Sequence, residues 1–428
     1  MENSKLLKVK NTGLVLENAR VYTQGKMRRQ ALYVDTHVRS EPAKNAESMD
    51  CKGMWVLPGF IDAHVHFRVP GAEHKEDWKT GSMAAAHGGI TTVMDMPNTH
   101  PSTTSLAGWE QKRAVAQRDS VVNYALHFGA AKDNFEEALK VPGLHSIKMY
   151  MGSSTGNLLV DSEPLWEKWF ELCQRNNLVL VVHAEYEALI QDHSKSFTEN
   201  HARVHSKIRD SEVETTALEK ALALQARMGT KLHVAHVSSK EGLGLVREAK
   251  SNGRQVTCEV CPHHLFLTEK DTERLGNLAK MNPSLKGKED VKALWKGLRD
   301  GTIDCVATDH APHTLEEKSK PYSEAPSGVP GVETMLPLLL NAVHEEKISL
   351  ERVVQCASKN PARIFGFEKK GALEEGCAAD AGIVNPKKKW TVMGAQFYSK
   401  SKWTPFEGFK LTGAVTRTFV NGKEVFHD

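Results

Sequence analysis

The chain has 428 residues, of which 40% are hydrophobic and 25% charged, and this composition excludes a largely disordered protein. The formal net charge is only +3, so neither a nucleic-acid partner nor a membrane-surface partner is indicated. Seven scattered cysteines do not make a disulfide framework, and no apolar run approaches the ~20 residues that cross a bilayer. We therefore expect a reduced, cytoplasmic protein.

Short strand-like segments without long helices occupy both ends of the sequence. Between them, segments rich in β-branched residues alternate with helix-like stretches. These segments cover residues 59–67, 91–97, 121–129, 144–152, 178–185, 231–239, 255–264 and 302–313. Eight such units predict an α/β fold with a (β/α)₈ TIM-like barrel over residues 58–368. We expect residues 1–57 and 369–428 to form one small β-sandwich domain beside it.

The alternative to a closed barrel is a doubly wound parallel sheet. Such a sheet usually carries a glycine-rich phosphate turn after an early strand, and the sequence has none. Local signals also place a helix between two of the predicted strands. Ser211 and Glu214 have the spacing of a capping box, and Gly229 stands where that helix should end.

Histidines recur at the ends of the predicted strands, where a barrel carries its catalytic groups. His64 and His66 are two residues apart in one strand, so both rings lie on the same face. His183, His236 and Asp309 end other strands. Imidazole and carboxylate ligands suit Zn²⁺, and less exclusively other transition metals. As a set, these residues predict a metal centre.

Lys148 lies in the otherwise apolar strand IKMYM. Its stem could simply pack in the core while its amine reaches solvent. Among metal ligands, however, a buried lysine of lowered pKa can add carbon dioxide and become an anionic carbamate. Cys258 and Cys261 form a CxxC pair without a second pair or a thioredoxin-like setting, so we interpret them as ordinary strand cysteines.

Several longer motifs are more specific than any single residue. PGFIDAHVHFRVPG, MPNT, KMYMGSSTGNLLV and TDHAPH together resemble the dihydroorotases, in the cyclic-amidase group of the metal-dependent amidohydrolases. The resemblance implies one metal on His64, His66 and Asp309 and a second on His183 and His236. It also implies a carboxylated Lys148 between them, with one or two Zn²⁺ per chain. The residues it implies for substrate binding are Arg68, Asn98, Asn282 and His313.

The same resemblance implies an activity in pyrimidine biosynthesis: the reversible hydrolysis of L-dihydroorotate to N-carbamoyl-L-aspartate. A hydroxide on the metal is then the nucleophile, and Asp309 acts as general base and then acid. The expected partners are this small-molecule substrate and a second copy of the chain in a homodimer.

Two alternatives remain open at this point. The first is a hydantoinase, dihydropyrimidinase or allantoinase, whose substrates lack the carboxylate that Arg68 would bind as a planar fork. The second is a non-catalytic, amidohydrolase-like scaffold, although such relatives usually lack the metal ligands that this sequence retains.

Overall fold

The computed structural model describes residues 13–154, 156, 158–197 and 199–428. Residues 1–12 of the predicted N-terminal segment, and Thr155 and Asn157 within the motif KMYMGSSTGNLLV, lie outside the described part. The strands, in chain order, are β1 (Leu14–Glu17), β2 (Arg20–Thr23), β3 (Lys26–Arg29), β4 (Leu32–Val34), β5 (Val38–Arg39), β6 (Glu47–Asp50), β7 (Trp55–Pro58), β8 (Phe60–Val65), β9 (Ile90–Asp95), β10 (Asn123–Leu126), β11 (Phe128–Gly129), β12 (Ser146–Tyr150), β13 (Val179–His183), β14 (Lys231–Val234), β15 (Val256–Val260), β16 (Cys305–Val306), β17 (Ala381–Thr391), β18 (Lys410–Val420) and β19 (Lys423–His427).

The central strands form a parallel barrel. β8, β9 and β10 make one sheet, and β11 to β16 make a second in sequential order. The two sheets are joined through His127, the single residue between β10 and β11, and through a parallel bridge between Val65 and His310. Eight strand positions therefore surround one buried interior, as the alternation of segments predicts. The eighth strand is short, because β16 spans only Cys305–Val306.

Helices lie between the barrel strands and after the last of them. They are α1 (Trp78–His87), α2 (Leu106–Asp119), α3 (Phe135–Lys140), α4 (Glu163–Arg175), α5 (Glu187–Ser196), α6 (His205–Ile208), α7 (Ser211–Met228), α8 (Lys240–Ser251), α9 (Pro262–Phe266), α10 (Thr272–Leu275), α11 (Lys288–Asp300), α12 (Leu315–Lys318), α13 (Met335–His344), α14 (Leu350–Val354) and α15 (Asn360–Ile364). None of the helices in the described ranges is both long enough and apolar enough to cross a membrane.

The start of α7 differs from the prediction. Asp210, not Ser211, is its N-cap, and the Asp210 carboxylate accepts hydrogen bonds from two first-turn amides. Glu214 is buried, and its carboxylate points away from the start of α7. It accepts hydrogen bonds from the backbone amides of Ser238 and Ser239 at 2.7 and 2.8 Å. The predicted capping box is therefore wrong, because Asp210 supplies the cap and Glu214 serves the start of the next helix. Helix α7 does end at Gly229, whose φ of 73° is left-handed.

The chain ends form two further sheets, one of N-terminal strands alone and one with strands from both ends. One has the order β5-β4-β1-β6, and the other has the order β19-β18-β17-β7-β2-β3. In the second sheet, Val56 of β7 lies opposite Ile383 of β17, so an N-terminal strand pairs with a C-terminal one. Leu16, Val56 and Phe419 are buried in one apolar cluster of this region. The N- and C-terminal segments thus meet as predicted, while domain boundaries after residues 57 and 368 remain a prediction.

Candidate metal centre and substrate site

The predicted metal ligands converge at the C-terminal end of the barrel. The Nε2 atoms of His66 and His64 lie 2.9 and 3.3 Å from the same oxygen of Asp309. His183 Nδ1 lies 3.0 Å from His236 Nε2. Donor atoms of His64, His236 and Asp309 all fall within 4.8 Å of one another. The structure therefore brings five of the six predicted ligands into one buried cluster.

Three of these histidines have their outer ring nitrogen held by an oxygen atom. The pairs are His64 Nδ1 with Glu259 Oε1 at 2.5 Å, His66 Nδ1 with Asn98 Oδ1 at 2.7 Å, and His183 Nε2 with Glu185 Oε2 at 2.8 Å. A carboxylate or amide oxygen only accepts, so the outer nitrogen donates and the inner nitrogen keeps its lone pair. This is the arrangement that orients histidine ligands around a metal ion.

Lys148, the sixth predicted ligand, is fully buried in β12. Among the described residues its Nζ has no hydrogen-bond partner, and it lies 5.1 Å from the centre of the Tyr150 ring. Burial lowers the pKa of Lys148 to about 8, although the nearby carboxylates of Glu259 and Asp309 act to raise it. A larger fraction of neutral amine is therefore available at neutral pH than for an exposed lysine.

Burial and the interaction between imidazole and carboxylate set the charges of His66 and Asp309. Burial lowers the pKa of His66 to about 4, against the raising effect of Asp309, so this imidazole is neutral. Burial acts to raise the pKa of Asp309, but His64 and His66 together hold it below its usual value. The cluster thus combines the anionic carboxylate of Asp309 with the neutral imidazole of His66, the protonation states in which these groups bind a metal.

The donor set fits a divalent cation. Lys148 Nζ is a buried polar atom without a hydrogen-bond partner anywhere in the described chain, which is rare unless a partner is missing. Inward lone pairs, an anionic oxygen and imidazoles held from outside are all present. The residues of this chain therefore meet the requirements of a metal centre.

Two of the predicted substrate-binding residues lie beside each other at the rim. Arg68 is buried, its Nε donates to the carbonyl of Pro312 at 3.2 Å, and its Nη2 lies 3.1 Å from His313 Nε2. Lys75 donates to His313 Nδ1 at 3.2 Å. Lys75 is also paired with Glu317 at 2.9 Å, so the positive charge next to the predicted metal ligands comes from Arg68.

Asn98 and Asn282 take positions that sequence reasoning did not foresee. Asn98 contacts His66, so it supports one of the predicted metal ligands directly. Asn282 accepts from His205 Nε2 at 2.9 Å, and His205 Nδ1 lies 2.9 Å from the Tyr322 hydroxyl. Asn282 is therefore joined through His205 to the two long segments at 186–210 and 314–329, and among the described residues it makes no hydrogen bond to Arg68 or His313.

The backbone at the site is strained. Ten non-glycine residues in the described ranges have positive φ, and only Arg68, His236 and Asp309 among them are buried. Their φ angles are 66°, 38° and 47°. Such conformations cost roughly 1–3 kcal/mol each and concentrate at functional sites. Each of these residues follows a barrel strand, at the end of the barrel where the predicted ligands meet.

Sequence reasoning missed several supporting residues. Glu259 orients His64, and an acidic residue inside the apolar strand β15 was a visible signal. Asp95 accepts from the backbone N–H of Phe67 at 2.6 Å and pairs with buried Lys112, whose Nζ also donates to the Met96 carbonyl at 2.6 Å. Lys112 lies in helix α2, and nothing in its local sequence indicates that it is buried.

Comparison with known proteins agrees with this geometry. The amidohydrolase family matches residues 55–425. The dihydroorotase of Methanosarcina mazei is 39% identical over 411 residues, which cover 92% of this chain and 90% of that protein. The dihydroorotase of Halobacterium salinarum is 43% identical over 357 residues, or 82% of each chain.

A solved structure of the L-hydantoinase (dihydropyrimidinase) from Arthrobacter aurescens superimposes with a TM-score of 0.93 at 31% identity, covering 97% of this chain and 96% of that one. The chain belongs to the amidohydrolase family, and within it to the dihydroorotase group. The predicted barrel fold and the predicted hydrolase class are confirmed with it.

Proposed function

We propose that this protein is a dihydroorotase of pyrimidine biosynthesis. In that reaction the ring amide of L-dihydroorotate is opened by water to give N-carbamoyl-L-aspartate, and the reverse reaction closes the ring. The observation that carries the proposal is the buried Arg68 guanidinium beside the metal cluster. A planar guanidinium binds a carboxylate through two parallel hydrogen bonds, and dihydroorotate has such a carboxylate whereas hydantoin does not.

The residues that would hold the metal are His64, His66, His183, His236, Asp309 and a carboxylated Lys148. We propose one or two Zn²⁺ per chain, because imidazole and carboxylate donors suit zinc. When bound, the metal lowers the pKa of a water molecule toward about 7 and polarises the amide carbonyl. Carboxylation joins the Lys148 nitrogen to the carbon of CO₂ and releases one proton, which turns the unpartnered amine into an anionic ligand.

Asp309 moves the proton in this proposal. Its carboxylate accepts the proton of the water that attacks the ring carbonyl, and then delivers it to the departing ring nitrogen. Ring closure uses the same two transfers in reverse. Arg68 and His313 hold the substrate carboxylate at the rim, and Asn98 orients His66 from outside. A cytoplasmic location and a homodimer are further parts of the proposal.

The first test assays the purified protein on L-dihydroorotate, hydantoin, dihydrouracil and allantoin, with metal content measured on the same sample. We expect one or two zinc ions per chain and turnover of dihydroorotate alone. Turnover of the uncharged rings instead would assign the protein to the hydantoinases or their relatives, whose fold it shares. Absence of both metal and turnover, after zinc and bicarbonate are supplied, would identify a non-catalytic scaffold.

The second test replaces the carboxylate-binding residue. Arg68→Met should lower kcat/KM for dihydroorotate by about 10- to 100-fold, because a hydrogen bond to a charged group contributes roughly 1.5–3 kcal/mol. Its metal content should stay at the wild-type level. The matched control is Arg203→Met, which removes an exposed arginine paired with Glu199 and should leave kcat/KM unchanged. An unchanged kcat/KM in Arg68→Met would contradict the role of Arg68.

A further inference from the structure

A second group of metal-binding side chains follows β15 and is not used by the proposed reaction. Cys261, His263 and His264 each offer a donor atom, and the three atoms lie within 4.8 Å of one another. All three residues are almost completely inaccessible to solvent. They share no member with the six proposed ligands of the first centre. The group is therefore a separate set of donors beside that centre.

Both histidines carry a ring nitrogen that lacks a partner. His263 Nε2 and His264 Nδ1 are buried, and neither has a hydrogen bond with any residue that the structure describes. His264 Nε2 lies 3.1 Å from the carbonyl of Pro283. A carbonyl only accepts, so Nε2 carries the proton and Nδ1 presents a lone pair. A buried acceptor without a partner costs about 1–3 kcal/mol, which points to a bound group that satisfies it.

We propose that Cys261, His263 and His264 form a second metal site that takes a divalent cation of zinc type. One thiolate and two imidazoles are three of the four ligands in common zinc sites, and sulfur disfavours Mg²⁺ or Ca²⁺. Binding replaces the thiol proton: the S–H bond breaks, the sulfur–metal bond forms, and the proton leaves to solvent. The proposal concerns binding only, and it stands whether or not the chain is a dihydroorotase.

Cys258 provides a matched comparison in the same strand. It is also buried, three residues before Cys261, but its thiol lies 3.6 Å from the carbonyl of Thr302 and donates to it. Cys258 therefore already has a partner, and no histidine joins it in a donor group among the described residues. The ordinary structural role predicted for both cysteines fits Cys258 and does not account for the cluster around Cys261.

The experiment uses the full chain, stripped of metal and reloaded with Co²⁺ alone. A cobalt–thiolate bond gives a sulfur-to-metal charge-transfer band in the near ultraviolet, which imidazole and carboxylate ligands do not produce. We expect this band in the wild type and in Cys258→Ala, and its loss in Cys261→Ala. With zinc, X-ray absorption should show a Zn–S distance of about 2.3 Å in the wild type. Cys261→Ala should bind one zinc ion fewer per chain than the wild type.

A third variant separates this site from sulfur ligation at the first centre. His264→Gln keeps an amide N–H that can reach the Pro283 carbonyl, and we expect it to lose the band as Cys261→Ala does. A band that persists in folded His264→Gln would mean that Cys261 binds another centre and would overturn the three-residue site. Absence of the band from the wild type would overturn it as well. None of these measurements depends on turnover. A protein without dihydroorotase activity can still show the band, and an active one can lack it, so the two proposals fail separately.

Discussion

Among single residues, Asp309 carries the largest share of the proposed chemistry. One of its oxygens faces the Nε2 atoms of both His64 and His66, and its backbone is held at a positive φ of 47°. The two imidazoles keep the pKa of Asp309 low against the effect of burial, so the side chain is anionic. It is therefore placed both to bind a cation and to accept a proton.

Asp309→Asn should keep the shape of the side chain and remove its ability to shuttle a proton. We expect kcat to fall by about 10²–10⁴-fold, the usual contribution of general acid–base catalysis. Metal content must be measured on the same sample, because an amide is a weaker ligand than a carboxylate. Asp300→Asn, on the exposed end of α11, is the control and should retain full activity. An active, metal-loaded Asp309→Asn enzyme would contradict the proposed role.

Glu259 acts through His64, whose Nδ1 it holds at 2.5 Å. Glu259→Gln weakens this hydrogen bond, and loss of such a supporting partner typically lowers metal affinity by about 10- to 100-fold. Competition with a chelator of known affinity measures the change. The control is Glu289→Gln, which alters an exposed carboxylate at the start of α11. Unchanged zinc affinity in Glu259→Gln would show that His64 does not need this partner.

Among the elements, the segment from α12 to residue 329 is held in part by one buried lysine. The Nζ atom of Lys318 donates to the carbonyls of Lys280, Pro326 and Gly328, each at 3.0 Å. The same segment supplies the Ser327 carbonyl that lies 3.0 Å from His313 Nε2. Lys318 therefore ties the shape of this segment to the rim of the substrate site.

Lys318→Met retains an unbranched apolar stem but removes all three hydrogen bonds. Leaving buried carbonyls without a donor should lower the free energy of unfolding by about 1–3 kcal/mol. We also expect faster proteolytic cleavage within residues 315–329, which limited proteolysis followed by mass spectrometry would locate. Lys320→Met, two residues on and exposed, is the control. Equal cleavage rates in the two variants would show that the hydrogen bonds of Lys318 do not hold this segment.

For the whole molecule, closure of the barrel encloses histidines that make acid conditions destabilising. His127 lies between the two sheets, donates from Nε2 to the Ala63 carbonyl at 3.0 Å and accepts at Nδ1 from the Ser146 hydroxyl at 2.7 Å. Burial lowers the pKa of His127 to about 3, whereas an unfolded histidine titrates near 6.5. Below about pH 6.5 the unfolded chain binds the extra proton, so stability falls as the pH falls.

His127→Gln should reduce this pH dependence by up to about 1.4 kcal/mol per pH unit, the value for one proton. Thermal midpoints measured at one scan rate between pH 6.5 and 4.5 should therefore decline less steeply in His127→Gln than in the wild type. His344→Gln, an exposed histidine at the end of α13, should follow the wild-type slope. Identical slopes for all three proteins would show that His127 does not contribute to the pH dependence of stability.

The alternation of strands and helices, and the donor residues at strand ends, follow from the sequence by itself. Side-chain periodicity places His64 and His66 on one face, and parallel strands in a barrel bring their ends together. Those local rules sufficed to predict that His64, His66, His183, His236 and Asp309 would meet. They also sufficed for the end of α7 at Gly229, since a left-handed residue there suits glycine.

Only the tertiary structure decided which side chain each of these residues pairs with. Glu259 and His64, which form a hydrogen bond, are 195 positions apart in the sequence. The Glu214 carboxylate accepts a hydrogen bond from the backbone just before the next helix instead of capping its own. Such pairings depend on how the barrel closes and on which buried polar atom still needs a partner. The unpartnered nitrogens of His263 and His264 are also a result of tertiary packing. The local sequence shows that a histidine is present, but only the folded chain shows which atoms surround its ring.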